Sequence, residues 1–285
     1  MIFRFQHASA AILAISVCLA SSSFALDNDP AIYRLCRTCT VENDQLKVSA
    51  EAQANYRDLV REYGVAFGPQ LSSPAKTLGI NGFQFDVQFA ITSINNQGQY
   101  WQEGVEDERP ESQLMVTRIG LRKGLAASLE FGSDVAYLVN SEMWSLGGFI
   151  KWSPHEMMDD FPVDLAVRGS LSKTVGSPQL QVTMTGLDVV LGKTFGVGGV
   201  VNLSPYVGYS PLWVSGSSGI LDANPGIPND INAQSKGEFV FATETILVQR
   251  VAFGMRLVTG LFTLTPEFVL AEKQQTVNVN LGLNF

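Results

Sequence analysis

The segment Val277-Asn278-Val279-Asn280-Leu281-Gly282-Leu283-Asn284-Phe285 alternates apolar and polar residues without a break. Successive side chains of a strand point to opposite faces. Val277, Val279, Leu281, Leu283 and Phe285 therefore share one face, and the asparagines with Gly282 share the other. The same period runs backwards through the chain. Phe262, Leu264, Phe268 and Leu270 oppose Thr263, Thr265 and Glu267, while Val251, Phe253, Met255 and Leu257 oppose Arg250, Gly254 and Arg256. Val163, Leu165, Val167 and Leu171 oppose Asp164, Arg168 and Ser170, and Trp144, Leu146, Ile150 and Trp152 oppose Ser145, Gly147 and Lys151. Leu125, Ala127, Leu129 and Phe131 face away from Glu130 and Asp134, as Met115, Ile119 and Leu121 do from Arg118 and Arg122. The pattern begins with Phe83, Phe85, Val87, Phe89 and Ile91 against Gln84, Asp86 and Gln88.

These segments are about twice the usual strand length of roughly 5–6 residues. Alternating runs of about ten residues between turn signals mark strands that cross a bilayer, apolar toward lipid and polar toward a lumen. A soluble β-sandwich is the competing reading, with shorter strands and the apolar face inside. Strand length, low charge and aromatics near strand ends (Phe83, Tyr137, Trp144, Trp152, Phe161, Trp213) favour the membrane reading. The expected fold is all-β: a transmembrane antiparallel up-and-down β-barrel of about ten strands, within a range of 8–12, preceded by a short N-terminal helix. The strands are placed at 82–94, 112–123, 125–138, 142–152, 162–173, 179–193, 199–213, 244–259, 261–271 and 275–285. Short turns at Lys123-Gly124, Phe195–Gly198 and Gly260 then fall on the periplasmic side, and the long loops 95–111 and 214–243 fall outside.

Composition agrees. Of 285 residues, 46% are hydrophobic and only 16% charged, against about 25% charged in an average soluble domain. The mean hydropathy is +0.13, yet no internal run approaches the roughly 20 apolar residues of a membrane helix. A net charge of −8 without a Lys/Arg cluster excludes a nucleic-acid partner.

The N-terminus reads as an export signal. Arg4 precedes a 13-residue apolar stretch, Ala8 to Ala20, and Ser23-Phe24-Ala25 fits cleavage near Ala25. Cys18 raises lipidation as an alternative, but Ser16-Val17 places a branched residue where a small one is usual. Cleavage removes one base, Arg4, from 19, and leaves 18 bases against 27 acids, net −9. Residues 26–78 form an N-terminal extension, periplasmic or plugging the lumen, and 79–285 the barrel. Within the extension, Cys36 and Cys39 most simply form a disulfide in an oxidising compartment. Haem attachment would need His at Thr40, zinc would need ligands beyond His155, and a thioredoxin-like role would need a βαβ unit. A helix is expected over Val48 to Tyr63, where Ala52, Tyr56, Leu59, Val60 and Tyr63 recur at helical spacing, with Ser49 as N-cap and Gly64 near its end.

Ten tilted strands enclose a backbone radius of roughly 10 Å. Six acids (Asp86, Glu130, Asp134, Asp164, Asp188, Glu267) and six bases (Arg118, Arg122, Lys151, Arg168, Arg250, Arg256) are expected to line the lumen. Such a balanced set suggests ion pairs across the barrel. No catalytic constellation is evident, because the one mature histidine, His155, falls in an expected solvated periplasmic turn among Glu156, Asp159 and Asp160. No cofactor is implied. The outer-loop acids Glu103, Glu106, Asp107, Glu108 and Glu111 are a weak candidate for a metal, since carboxylates suit Ca²⁺ but the spacing fits no known loop; a solvated acidic face is the other reading.

The export signal, the long two-residue period and the terminal Phe285 resemble bacterial outer-membrane β-barrel proteins, porin-like in architecture. That resemblance implies an outer-membrane location, outer-membrane lipid as surroundings, and recognition of the Val277–Phe285 strand by the barrel-assembly machinery. The helix followed by Ser73-Pro74-Ala75 also resembles the long-chain fatty-acid transporter family, whose N-terminal segment plugs its barrel. This chain is shorter than that family's strand count requires, so none of its binding residues carry over. Two functions follow as expectations: a narrow passive channel or transporter for small solutes, or a closed barrel serving as a structural element, surface receptor or adhesion site.

Overall fold

A computed structural model describes residues 28–42, 45–107, 110–158, 161–223 and 238–285. The expected signal peptide, the cleavage site and Glu108 lie outside the described residues. Ten antiparallel strands form the wall: β1 Phe83–Ser93, β2 Gln113–Leu125, β3 Leu129–Leu138, β4 Trp144–Trp152 and β5 Asp164–Val175. They continue with β6 Leu180–Gly192, β7 Val201–Tyr209 resuming as Leu212–Ser218, β8 Glu244–Val248 resuming as Arg250–Thr259, β9 Phe262–Ala271 and β10 Gln275–Asn284. Each strand pairs with its sequence neighbours, and β10 returns to β1 with Val277 opposite Ile91 and Leu281 opposite Val87. Phe83 and Phe285 exchange backbone hydrogen bonds at 3.0 and 2.8 Å. The sheet is thus a closed up-and-down barrel of ten strands without a free edge.

Its polarity is inverted relative to a soluble sandwich. Ile150 is 60% exposed and Leu171 56%, whereas the neighbouring Lys151 and Arg168 are 1% and 2% exposed. Apolar side chains outside and charged ones inside are what a bilayer requires of a strand. Aromatic pairs mark both rims, Tyr137 against Trp144 at 4.6 Å at one and Phe83 against Phe285 at 6.4 Å at the other.

Four expectations are corrected. The turn expected at Phe195–Gly198 falls at 198–200, because Phe195–Val197 is itself a short strand paired with Val201–Leu203. The β2–β3 turn falls at Ala126–Ser128, not at Lys123-Gly124, which belong to β2. Ala127 and Ser128 adopt φ of 57° and 55°, conformations that sequence reading reserves for Gly, Asn or Asp. Gly124 instead allows a close approach, since a Cβ there would lie 1.9 Å from the Gly79 carbonyl oxygen. Strand β7 runs on to Ser218, so the outer loop expected from 214 begins later. His155 is 7% exposed rather than solvated. The Leu165 N–H donates to its Nδ1 at 3.1 Å, and Asp164 stands 3.4 Å from its Nε2.

The N-terminal segment runs through the barrel. Residues 28–42 lie at the long-loop end, where Pro30 bridges Val105 and the Ala31 N–H donates to the Gly104 carbonyl at 2.8 Å. Helix α1, Ala50–Phe67, is capped by the Ser49 side chain, which accepts from the Ala52 N–H. It packs inside against β1, β2, β6, β7 and β8. After Gly68 the chain continues without regular secondary structure, buried to Ala75, and it leaves at the opposite, short-turn end, where the Thr77 hydroxyl meets Glu156 at 2.8 Å.

Candidate functional site

The lumen is divided by chemistry into two halves. At the long-loop end its wall is apolar. Leu114, Val116, Ala136, Leu138, Val182, Met184, Val214 and Ile246 point inward and form one core with Tyr56, Leu59, Val60, Tyr63 and Phe67 of α1. Two glycines let helix and wall interlock. A Cβ at Gly64 would stand 2.2 Å from Val214 Cγ1, and one at Gly216 2.5 Å from Val60 Cγ1. A short helix in the first outer loop, α2 Gln99–Gly104, folds over this core. Glu62 of α1, only 2% exposed, accepts from the Asn95 N–H at 3.2 Å, the Tyr100 hydroxyl at 2.8 Å and the Trp101 indole N–H. Burial, and then the adjacent Glu62 charge, holds the Tyr100 phenol above its ordinary range. It therefore remains a hydrogen-bond donor.

The other half is charged. All twelve side chains expected in the lumen point inward; eleven are buried and Asp134 is half-buried. Their pairing runs between neighbouring strands rather than across the barrel: Arg122–Asp86 at 2.6 Å, Arg118–Asp134 at 3.5 Å, Lys151–Glu130 at 3.1 Å and Arg168–Asp188 at 2.6 Å. Asp164 faces His155, and Arg256 donates to Asn284 at 3.3 Å and to Gln84.

What crosses the lumen is the plug backbone. Arg118 donates to the carbonyls of Phe67 and Gly68 at 2.6 and 3.0 Å, and Arg250 to that of Pro69 at 3.1 Å. Arg168 reaches the carbonyls of Gln70 and Leu71 at 2.7 and 3.2 Å, and Arg122 that of Ser72 at 3.2 Å. Lys151 reaches Pro74 and Lys76 at 3.4 and 3.0 Å, and the Ser153 hydroxyl donates to Ala75 at 2.5 Å. Glu267 is the acceptor in this grip. It accepts from the Ser72 N–H at 2.9 Å, the Tyr206 hydroxyl at 2.7 Å and the Asn278 amide at 3.2 Å. Outside regular secondary structure the segment leaves most of its carbonyls to outside partners, the Gln70 amide serving that of Gly68 at 3.1 Å, and burial makes unpaired ones costly. The wall cations supply those partners; Arg118, Arg122, Lys151 and Arg168 are each paired with a wall carboxylate, and Arg250 is steadied by the carbonyl and hydroxyl of Ser210.

The cavity beside Pro69–Ser72, bounded by Gln88, Arg118, Arg168 and Asn280, holds about 40 Å³. That is room for ordered water and not for a solute path.

The cap is tied down as well. Arg34 pairs with Glu106 at 2.9 Å and Arg37 with Glu103 at 3.0 Å, and a Cys36–Cys39 disulfide closes the turn that carries Arg37. Two of the candidate loop acids are thus engaged by arginines, and Glu111 is exposed. Among the described residues no group of three or more His, Cys, Asp or Glu side chains is arranged to hold a metal. Val277, Leu281 and Phe285 face outward and exposed.

No protein-family model and no curated protein matches the sequence. Among solved structures, the chain is similar to Ail, the attachment invasion locus protein of Yersinia pestis, at 11% identity and a TM-score of 0.30 over 72% of this chain and 99% of Ail. It is similar to the N-terminal β-barrel domain of Pseudomonas aeruginosa OprF at 15% identity and a TM-score of 0.29, over 73% of this chain and 99% of that domain. The β-domain of the Bordetella autotransporter BrkA gives 11% identity and a TM-score of 0.37 over 72% and 100%. Likeness of this degree carries no functional argument. The outward apolar coat and closed ten-strand ring carry the assignment: the chain has the fold of bacterial outer-membrane β-barrels and is an integral protein of that membrane.

Proposed function

We propose that this protein acts as a closed outer-membrane barrel, shut by its own N-terminal segment, with the face at its long-loop end as the working surface. The observation that carries this reading is the grip on the backbone from Phe67 to Lys76, whose carbonyls are held by Arg118, Arg250, Arg168, Arg122, Ser153 and Lys151. Short turns face the periplasm and longer loops the cell exterior in this fold class. The cap built from residues 28–42 and the α2 loop is therefore the surface offered outward, as a structural, receptor or adhesion element. Its chemistry is polar, with Arg37 and Thr38 exposed. The exposed face of β10, with Val277, Val279, Leu281, Leu283 and Phe285, serves the assembly machinery during insertion and lipid afterwards. Passage of small solutes would require the plug to leave, since the cavity beside Pro69–Ser72, between the plug and the charged wall, holds only about 40 Å³.

Planar-bilayer recording of the purified mature chain tests this reading. Silence is expected. Stable single-channel steps that change on charge reversal at Arg118 or Glu130 would replace it with the passive channel.

A further inference from the structure

Of the charged side chains in the ten strands, all but Lys123 and Lys173 turn inward. Lys123 is satisfied by the carbonyls of Ile80 and Gly82 at 3.0 and 3.4 Å. Lys173 is exposed, and no hydrogen bond or ion pair engages it among the described residues. An ammonium facing lipid is costly unless it reaches a polar partner.

The register shows what Lys173 can reach. It lies opposite Leu146, two residues before β5 ends at Val175, which pairs with Trp144 of the aromatic rim. That rim is at the long-loop end. A flexible lysine stem so close to it extends its head toward the interface.

Directly below lies a depression of about 820 Å³ in the outer wall. Gly148 and Gly169 form its floor, Phe131, Leu146, Ile150 and Leu171 its sides, and Lys173 closes its upper end. A Cβ at Gly169 would meet nothing within 4 Å, so the floor is open to an occupant. A second outer depression of about 770 Å³, among Phe89, Leu257, Phe262 and Leu281, has no charged residue in its lining. Any acyl chain covers such a hollow. The cation sets the first one apart.

We propose that the Lys173 groove is a binding site for a phosphorylated, acylated glycolipid of the outer leaflet. One acyl chain lies over Gly148 and Gly169, and a lipid phosphate accepts from the Lys173 ammonium. The inference rests on the membrane orientation assigned above and not on whether the barrel conducts.

Native mass spectrometry of the full mature barrel, released from mild detergent, tests it with three probes: bis-phosphorylated lipid A, its dephosphorylated form, and phosphatidylglycerol. The expected result is a one-to-one adduct with phosphorylated lipid A that exceeds both other probes. Lys173→Gln should weaken it about fivefold, the weight of one interfacial lysine near anionic lipid, and Lys173→Arg should restore it. Gly169→Leu should reduce retention of both lipid A forms by filling the floor. Heat-modifiable migration on gels confirms that each variant is folded, and Lys173→Gln alone carries the test if Gly169→Leu does not fold. Equal binding by wild type and Lys173→Gln, equal binding of the three probes, or no adduct at all overturns the proposal.

Discussion

The Arg168 Nε donates to Asp188 at 2.6 Å while its Nη1 holds the plug carbonyl of Gln70 at 2.7 Å. One guanidinium thus closes an ion pair within the wall and grips the segment that fills the lumen. Both side chains are fully buried.

Removing one partner should be severe. Arg168→Met leaves Asp188 buried without its cation and is expected to cost about 3–5 kcal/mol, read from the urea midpoint of the barrel in lipid vesicles. Arg168→Met combined with Asp188→Leu should recover the part owed to the unpaired Asp188, because paired buried ions are often replaceable by apolar groups, while the carbonyls of Gln70 and Leu71 stay without their donor. A single variant as stable as wild type would contradict the pairing.

The helix and wall interlock through Gly216 and Val60. Gly216→Val places methyls where Val60 already stands, and overpacking of this kind costs about 1–3 kcal/mol. The strain falls on α1, so limited proteolysis should cut within residues 50–67 while the strands survive. Val60→Ala in the same chain should restore resistance. Cleavage unchanged in the single variant would show that the helix is not pressed against β7.

Glu62 fastens the outer loop to the plug. Glu62→Gln should loosen α2 and shift Trp101 fluorescence to the red, since hydrogen bonds to a charged acceptor are worth about 1.5–3 kcal/mol. Tyr100 adds a pH dependence whose sign is fixed. Burial first, and Glu62 second, raise its phenol above the ordinary value of 10.0. Folding therefore favours the protonated form, and its contribution is full below pH 10.0 and is lost as pH rises above that value. The Trp101 signal should hold to that point and decline beyond it, and Tyr100→Phe should flatten the decline. An acid-side transition instead would contradict this origin.

The direction of threading is open to a cell-surface experiment. An epitope joined directly ahead of Asn28 should bind antibody on intact cells, because residues 28–42 sit at the long-loop end. Binding only after the outer membrane is permeabilised would reverse the topology.

The ten strands were legible because lipid outside and polar groups inside impose one period on every strand, clearest from Val277 to Phe285. The twelve inward charges followed from the same parity. Their partners did not. Alternation assigns a face to Arg118 or Arg168 but says nothing of what stands opposite, and here that is the backbone of Phe67 to Leu71. The apolar half of the lumen left a trace that parity alone hides. Leu114-Met115-Val116, Leu212-Trp213-Val214 and Ile246-Leu247-Val248 are apolar on both faces, as strands must be when lipid lies outside and a helix inside. Ala127 and Ser128 show the limit of turn reading, since their positive φ is imposed by the hairpin rather than by their side chains.

Peptide-resolved hydrogen exchange over residues 56–76, in the full chain folded in a bilayer, tests the closed lumen most directly. The plug account predicts protection comparable to that of β1 and β10, which pair around it. Exchange complete within seconds, as for a solvated chain, would contradict it.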